Sequence, residues 1–240
     1  MRRVIRNEWL HIGLILAVAP LLCAQKAAVT AHLDVVRNTP QAKAAEQSSV
    51  VVWLTPVGST APFTGTSQHL ALTQKNKSFE PHLLVVPVGA VVDFPNRDPF
   101  FHNVFSLFEG KRFDLGLYEA GTSRRVHFDR VGVSYIFCNI HPEMSAVVVV
   151  LDTPYYGIAN SKGTVAIPDV PTGRYILHVW DERSLPEVLT KLTREVVVAE
   201  DQASLGTLTI AETELAAEHK NKYGHEYDRT APSSPVYVQP

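Results

Sequence analysis

The chain is poor in sulfur. Its 240 residues include two cysteines, Cys23 and Cys138, and two methionines, Met1 and Met144, so no framework of disulfides holds it together. It also lacks a basic excess. The 22 Lys and Arg stand against 24 Asp and Glu, which argues against nucleic acid as a partner. The apolar run at residues 12–22 falls well short of the ~20 residues a membrane-spanning helix needs. What is present is ordinary globular material, 45% hydrophobic and 19% charged, neither disordered nor fibrous. Sixteen prolines and thirteen glycines, scattered through valine-rich runs, favour β-structure with many turns.

Arg2, Arg3 and Arg6, followed by the apolar run, form the positive and hydrophobic regions of an N-terminal signal peptide over residues 1–24. Cleavage is expected after Ala24. Cys23 offers a lipid-anchored alternative, but Leu22 stands where a small residue is wanted, so export to the periplasm or beyond without a lipid, and without a stable membrane span, is expected. Cleavage removes Arg2, Arg3, Arg6 and Glu8 and takes the net charge from −2 to about −4. It leaves Cys138 and Met144 as the remaining sulfur atoms. A lone thiol in an oxidising compartment is a liability that calls for a reason. Met144 lies six residues beyond it, with His141 between.

Residues 29–36 and 49–54 read as strands, followed by a Gly/Ser/Thr/Pro-rich linker at 57–68. A second β-rich block has short strands at 69–73, 83–86, 91–94, 102–106, 124–128, 134–137 and 146–151, a spacing that suggests a sandwich. A third block follows Pro154. From Glu212 to His219 the pattern turns helical, and the polar remainder reads as a surface or disordered tail.

The segment Phe137-Cys138-Asn139-Ile140-His141-Pro142-Glu143-Met144 holds a thiolate, an imidazole and a thioether in one short loop between two strands. Asn96-Arg97-Asp98-Pro99-Phe100-Phe101-His102 offers a second imidazole where a turn meets a strand. Two His, one Cys and a weak axial Met form the ligand set of electron-transfer copper. The candidate metal ligands are therefore His102, Cys138, His141 and Met144. Phe100, Phe101 and Pro142 flank them, either as plain packing or as an apolar ring around the exposed edge of His141, where a partner would dock. His82, His127 and His178 read as structural or solvent-facing.

These residues carry a resemblance. The stretch from Phe79-Glu80-Pro81-His82 through Val88-Gly89-Ala90 to Asn96-Arg97-Asp98, then His102-Asn103-Val104, then Cys138-x2-His141-x2-Met144, resembles the cupredoxins over roughly residues 69–152. The spacing is similar to amicyanin and to the plastocyanin-like proteins labelled methylamine-utilisation proteins. The resemblance implies one type 1 (blue) copper ion, and for Asn103 a role in tying the two ligand-bearing segments together by hydrogen bonds. Glu143 stands where that subgroup usually carries an aromatic residue. The pattern from Gly163 through Ile167-Pro168 and Val170-Pro171 to Gly173-Arg174-Tyr175 resembles the carboxypeptidase-regulatory or transthyretin-like β-sandwich, a module that implies no catalysis.

The expected fold is all-β: a cupredoxin Greek-key β-sandwich at 67–152 and a second small β-sandwich, after the signal peptide and before a C-terminal tail at 211–240. The second sandwich would combine 29–57 with 154–210, the copper domain being inserted between them; tandem order is the rival. The expected function is single-electron transfer between redox protein partners, without enzymatic turnover. The alternative is copper storage, sensing or delivery. An oxidase or nitrite-reductase-like enzyme would need further histidine clusters, and the chain has no His-x-His pair.

Overall fold

The computed structural model describes residues 26–37, 50–58, 63, 70–107, 110–200, 203–212 and 220–227. The expected signal peptide at 1–24, His69 and the segment 213–219 lie outside the described residues. Among the described residues no helix is long and apolar enough to cross a membrane.

Among the described residues the chain is all-β but for one short helix. Two strands, β1 (Lys26–Arg37) and β2 (Val50–Pro56), come first. A short hairpin follows, β3 (Thr73–Lys75) and β4 (Ser78–Glu80), and then β5 (Leu83–Pro87) and β6 (Ala90–Pro95). Next come β7 (His102–Ser106), β8 (Phe113–Tyr118), β9 (Ser123–Phe128), β10 (Gly132–Cys138) and β11 (Ser145–Leu151). The last group is β12 (Tyr156–Ile158), β13 (Thr164–Pro171), β14 (Gly173–Asp181), helix α1 (Pro186–Leu192), β15 (Arg194–Val198) and β16 (Ser204–Glu212).

Five strands in the order β5-β11-β10-β7-β8 make the largest sheet, with the β6-β9 pair packed across one of its faces. The remaining strands form two sheets, β13-β1-β16 and β12-β2-β14-β15. β2 runs antiparallel to β14, with Trp53 opposite His178, and has no ladder with the sheet that carries Cys138. The chain leaving β2 and the chain returning to β12 touch: the Thr153 hydroxyl donates to Leu54 O at 2.8 Å, and Leu54 N–H donates to Tyr155 O at 2.9 Å.

Residue pattern explains the layering. β1 buries Val29, Ala31 and Leu33 and exposes Thr30, His32 and Asp34, the two-residue period of a strand with one wet face. β11 behaves otherwise, because all six residues from Ala146 to Leu151 are buried. Its alternate side chains serve two cores. Ala146, Val148 and Val150 join Phe94, Phe128 and Ile136, whereas Val147, Val149 and Leu151 join Val52, Leu54 and Leu177 of the second sandwich. A continuous valine run is what a strand covered on both faces requires. The two sandwiches therefore share β11 as a wall. Beside it His82 links them at the surface, with Nδ1 3.1 Å from Ser145 O and Nε2 2.7 Å from the Glu182 carboxylate.

Two expectations change. Residues 71–72 form only an isolated bridge, Ala71 with Asp93, and the regular ladder begins at Thr73. β16 runs through Glu212, so the helical pattern does not begin there; its alternating Leu208, Ile210 and Glu212 face inward. The described part of the tail, residues 220–227, lies at the surface as expected, and it bonds to the sheet that carries Cys138, as described below.

Candidate metal centre

The loop before β7 is knitted by its own polar residues. Asn96 is buried; its amide Nδ2 donates to Phe100 O at 2.8 Å, and its Oδ1 accepts Asp98 N–H at 3.0 Å. Asn side chains bond the backbone two residues on and so stabilise such turns. This sets Asp98 beneath the β3–β4 hairpin, whose turn residues Asn76 and Lys77 both have positive φ, at 55° and 54°. Both of their N–H groups point at the Asp98 carboxylate, at 2.6 and 3.0 Å. The same carboxylate lies 2.9 Å from His102 Nε2. A carboxylate there makes Nε2 the protonated nitrogen and leaves the Nδ1 lone pair free to act as a donor.

β7 pairs with the end of β10, Val104 opposite Cys138. That register lays His102 beside the loop leaving Cys138. Within the loop Cys138 N–H donates to Met144 O at 3.3 Å and Met144 N–H to His141 O at 3.1 Å, closing 138–144 on itself. His102 Nδ1 lies 3.5 Å and His141 Nδ1 3.6 Å from Cys138 Sγ. The donor atoms of these three residues lie within 4.8 Å of one another. A metal ion with bonds of about 2.0–2.3 Å to nitrogen and sulfur fits between atoms so spaced. His102 and Cys138 are fully buried, and His141 is half-buried.

Met144 is fully buried in the hydrophobic cluster that includes Cys138. Phe100 packs against both imidazoles, with ring centroids 5.3 Å from His102 and 5.4 Å from His141. Phe101 is half-buried beside β7, while Pro142 and Glu143 are exposed next to His141. The tie expected of Asn103 runs through its main chain. Asn139 N–H donates to Asn103 O at 2.9 Å, whereas the Asn103 side chain turns to β8, donating to Asp114 Oδ1 at 2.7 Å and Gly116 O at 3.0 Å. His82 is not among the converging donors.

Burial dominates the electrostatics. It pushes the Cys138 thiol above its ordinary pKa, although the backbone N–H groups of Ile140, Asn103 and His141 oppose it by stabilising the thiolate. It lowers His102, with the Asp98 carboxylate working against the shift. It lowers His141 to about 4, helped by the neighbouring His102. Both imidazoles are thus neutral at neutral pH, the form that binds metal. Burial would raise Asp98 too, but the donors from Lys77, His102 and Asn76 outweigh it and hold the carboxyl below its usual value.

A pH dependence follows for the metal-free protein. His141 has a folded pKa of about 4 against 6.5 when unfolded. The unfolded chain therefore takes up a proton that the native chain refuses as pH falls through that window, and native stability declines there. The urea midpoint of metal-free protein should drop between pH 6.5 and about 4. His141→Gln should flatten the decline; an identical slope in that variant would contradict the assignment.

Asp98, Lys222 and Tyr227 escaped the sequence reading. Asp98 had one available signal, a carboxylate four residues before a candidate ligand; the other two had no local signal.

No family model matches the chain, and no curated protein matches it. Among solved structures it is similar to a purple cupredoxin from Nitrosopumilus maritimus, at 24% identity and a TM-score of 0.31, over 34% of this chain and 99% of that one. It is also similar to a copper-containing nitrite reductase from Thermus scotoductus SA-01, at 25% identity and a TM-score of 0.35, over 50% of this chain and 28% of that one. A reduced Cu(I) form of an amicyanin variant aligns at 21% identity and a TM-score of 0.33, over 42% of this chain and 98% of that one. Each likeness takes in half of the chain or less, and the reading of the site rests on its own residues.

Proposed function

We propose that this chain is an exported type 1 copper protein that carries single electrons between redox protein partners and is not itself an enzyme. The observation that carries the reading is the convergence of two imidazole Nδ1 atoms on one buried thiol sulfur, at 3.5 and 3.6 Å. His102, Cys138 and His141 would hold the ion, with Met144 as a weaker fourth donor. A copper ion so held supplies one-electron chemistry.

The protein's own residues supply rigidity and access. Asp98 fixes the His102 ring, and three N–H groups surround the Cys138 sulfur. A donor set held this way changes little between oxidation states. His141 is the donor nearest solvent, and Phe100 with Phe101 and Pro142 would form the apolar surround on which a partner docks. We assign residues 67–152 to the copper domain, inserted into a carboxypeptidase-regulatory-like sandwich made of 29–57 and 154–210. The pairing of β2 with β14 supports that division.

The test is addition of one equivalent of Cu(II) to the metal-free protein. A strong visible thiolate-to-copper band, the EPR signal of a single type 1 site and repeated reversible oxidation and reduction are expected. Protein that surrenders Cu(I) to a chelator but does not cycle would indicate storage or delivery instead. Met144→Leu should keep the colour and raise the reduction potential, because a donor to Cu(II) is lost. Spectroelectrochemistry checks this, and an unchanged potential removes Met144 from the ligand set.

A further inference from the structure

Residues 220–227 fold into a compact unit on the ligand-bearing end of the copper sandwich. Asn221 organises it. Its N–H donates to His225 O at 2.9 Å, its carbonyl accepts Gly224 N–H at 2.9 Å, and its Oδ1 accepts the N–H groups of Tyr223 and His225 at 3.0 and 3.1 Å. Gly224 closes the turn at φ 79°, a conformation that suits glycine.

This unit grips the donor segments at three points. Lys222 N–H donates to Asn139 Oδ1 at 2.9 Å, and Asn139 lies between Cys138 and His141 in the chain. The Lys222 ammonium lies 2.9 Å from Asp114 Oδ2, and the other oxygen of that carboxylate accepts the side chain of Asn103, the neighbour of His102. The Tyr227 hydroxyl donates to the carbonyl of Cys138 itself at 2.8 Å. One residue outside both ligand-bearing segments thus bridges them, and a second holds the main chain of the thiol ligand.

We propose that residues 220–227 are a strap that locks the donor loop 138–144 against β7, with Lys222 and Tyr227 as positioning residues that govern how fast the Cys138 sulfur, and a metal bound to it, exchanges. The metal part rests on the copper reading; the thiol part does not. Buried groups react through local openings, whose frequency depends on the bonds that must break. Loss of one neutral hydrogen bond and one charge-assisted bond should raise that frequency by about tenfold or more.

The test uses the full chain carrying Cys23→Ser, so that Cys138 is its sole thiol. The rate of metal-free Cys138 with an aromatic disulfide is compared in the parent, in Tyr227→Phe with Lys222→Met, and in Lys222→Arg. The double variant should react about tenfold faster or more, with a rate that rises only weakly with added urea, as local opening requires, and Lys222→Arg should stay near the parent. Transfer of Cu(I) to a bicinchoninate chelator should accelerate in parallel. An increase of less than threefold in the thiol rate, or a rate that climbs with urea as steeply as global unfolding does, overturns the strap. If the parent takes up no copper while the thiol rates still separate, the copper reading fails and the strap stands.

Discussion

Cys138→Ser is expected to remove the visible thiolate-to-copper band and to weaken copper binding by more than a hundredfold. The size follows from ligand chemistry. Changing a residue that merely orients a ligand costs about 10–100-fold in metal affinity, and here a ligand itself is exchanged for a hard hydroxyl that copper binds poorly. The fold should survive. Cys138 is fully buried, but the N–H groups of Ile140, Asn103 and His141 that face its sulfur can be met by a serine oxygen. The cost to the metal-free protein is therefore that of placing a hydroxyl where bonds await it, about 1 kcal/mol. Titration with Cu(II) alongside urea unfolding separates the two effects. Copper affinity within tenfold of the parent would mean that Cys138 is not a ligand.

The three converging side chains could be read from sequence because each sits in a short local pattern. Cys138 and His141 are separated by two residues in a loop bounded by strands, and His102 opens a strand after a run of turn formers. The valine run of β11 was equally plain as a strand, but not its double duty: periodicity cannot show that a second sandwich covers the far face. β8 went unread because it carries Gly116 and exposes Leu117, the weak pattern of an edge strand.

What stayed hidden at the site was the layer behind the donors, for a shared reason. Asp98 looks like one more turn residue, and its other partners come from a hairpin 21 and 22 residues earlier. Lys222 and Tyr227 reach Asn139 and Cys138 across 83 and 89 residues. Contacts at such separations are fixed by the tertiary fold and leave no periodic trace in the chain.

Asp98 offers the other large effect. Its carboxylate satisfies three donors at once, the N–H groups of Asn76 and Lys77 and Nε2 of His102, in a place only 5% exposed. Asp98→Ala strips all three of their acceptor. Hydrogen bonds to a charged group contribute about 1.5–3 kcal/mol, and a buried donor left unmet costs about 1–3 kcal/mol; of the three, His102 Nε2 is fully buried, whereas Asn76 and Lys77 lie at the surface. A loss of about 2–4 kcal/mol is expected, a large part of the ~5–15 kcal/mol that holds a domain folded. Asp98→Asn should cost less. Its oxygen can replace Oδ2, which serves Lys77 and His102, and only Asn76 then faces an amide N–H instead of an acceptor. Because the Asp98 carboxyl is held below its ordinary pKa, its contribution is present in full above that ordinary value and disappears as pH falls through the folded one. The Asp98→Ala deficit should therefore be complete at pH 7 and shrink in acid. Copper affinity should fall about 10–100-fold in Asp98→Ala, because the His102 ring loses the partner that sets its tautomer and orientation. Urea unfolding of the metal-free protein and chelator competition with copper measure the two quantities. If Asp98→Ala binds copper within twofold of the parent, the carboxylate does not prepare His102 as a donor, and its place beneath the hairpin serves the fold alone.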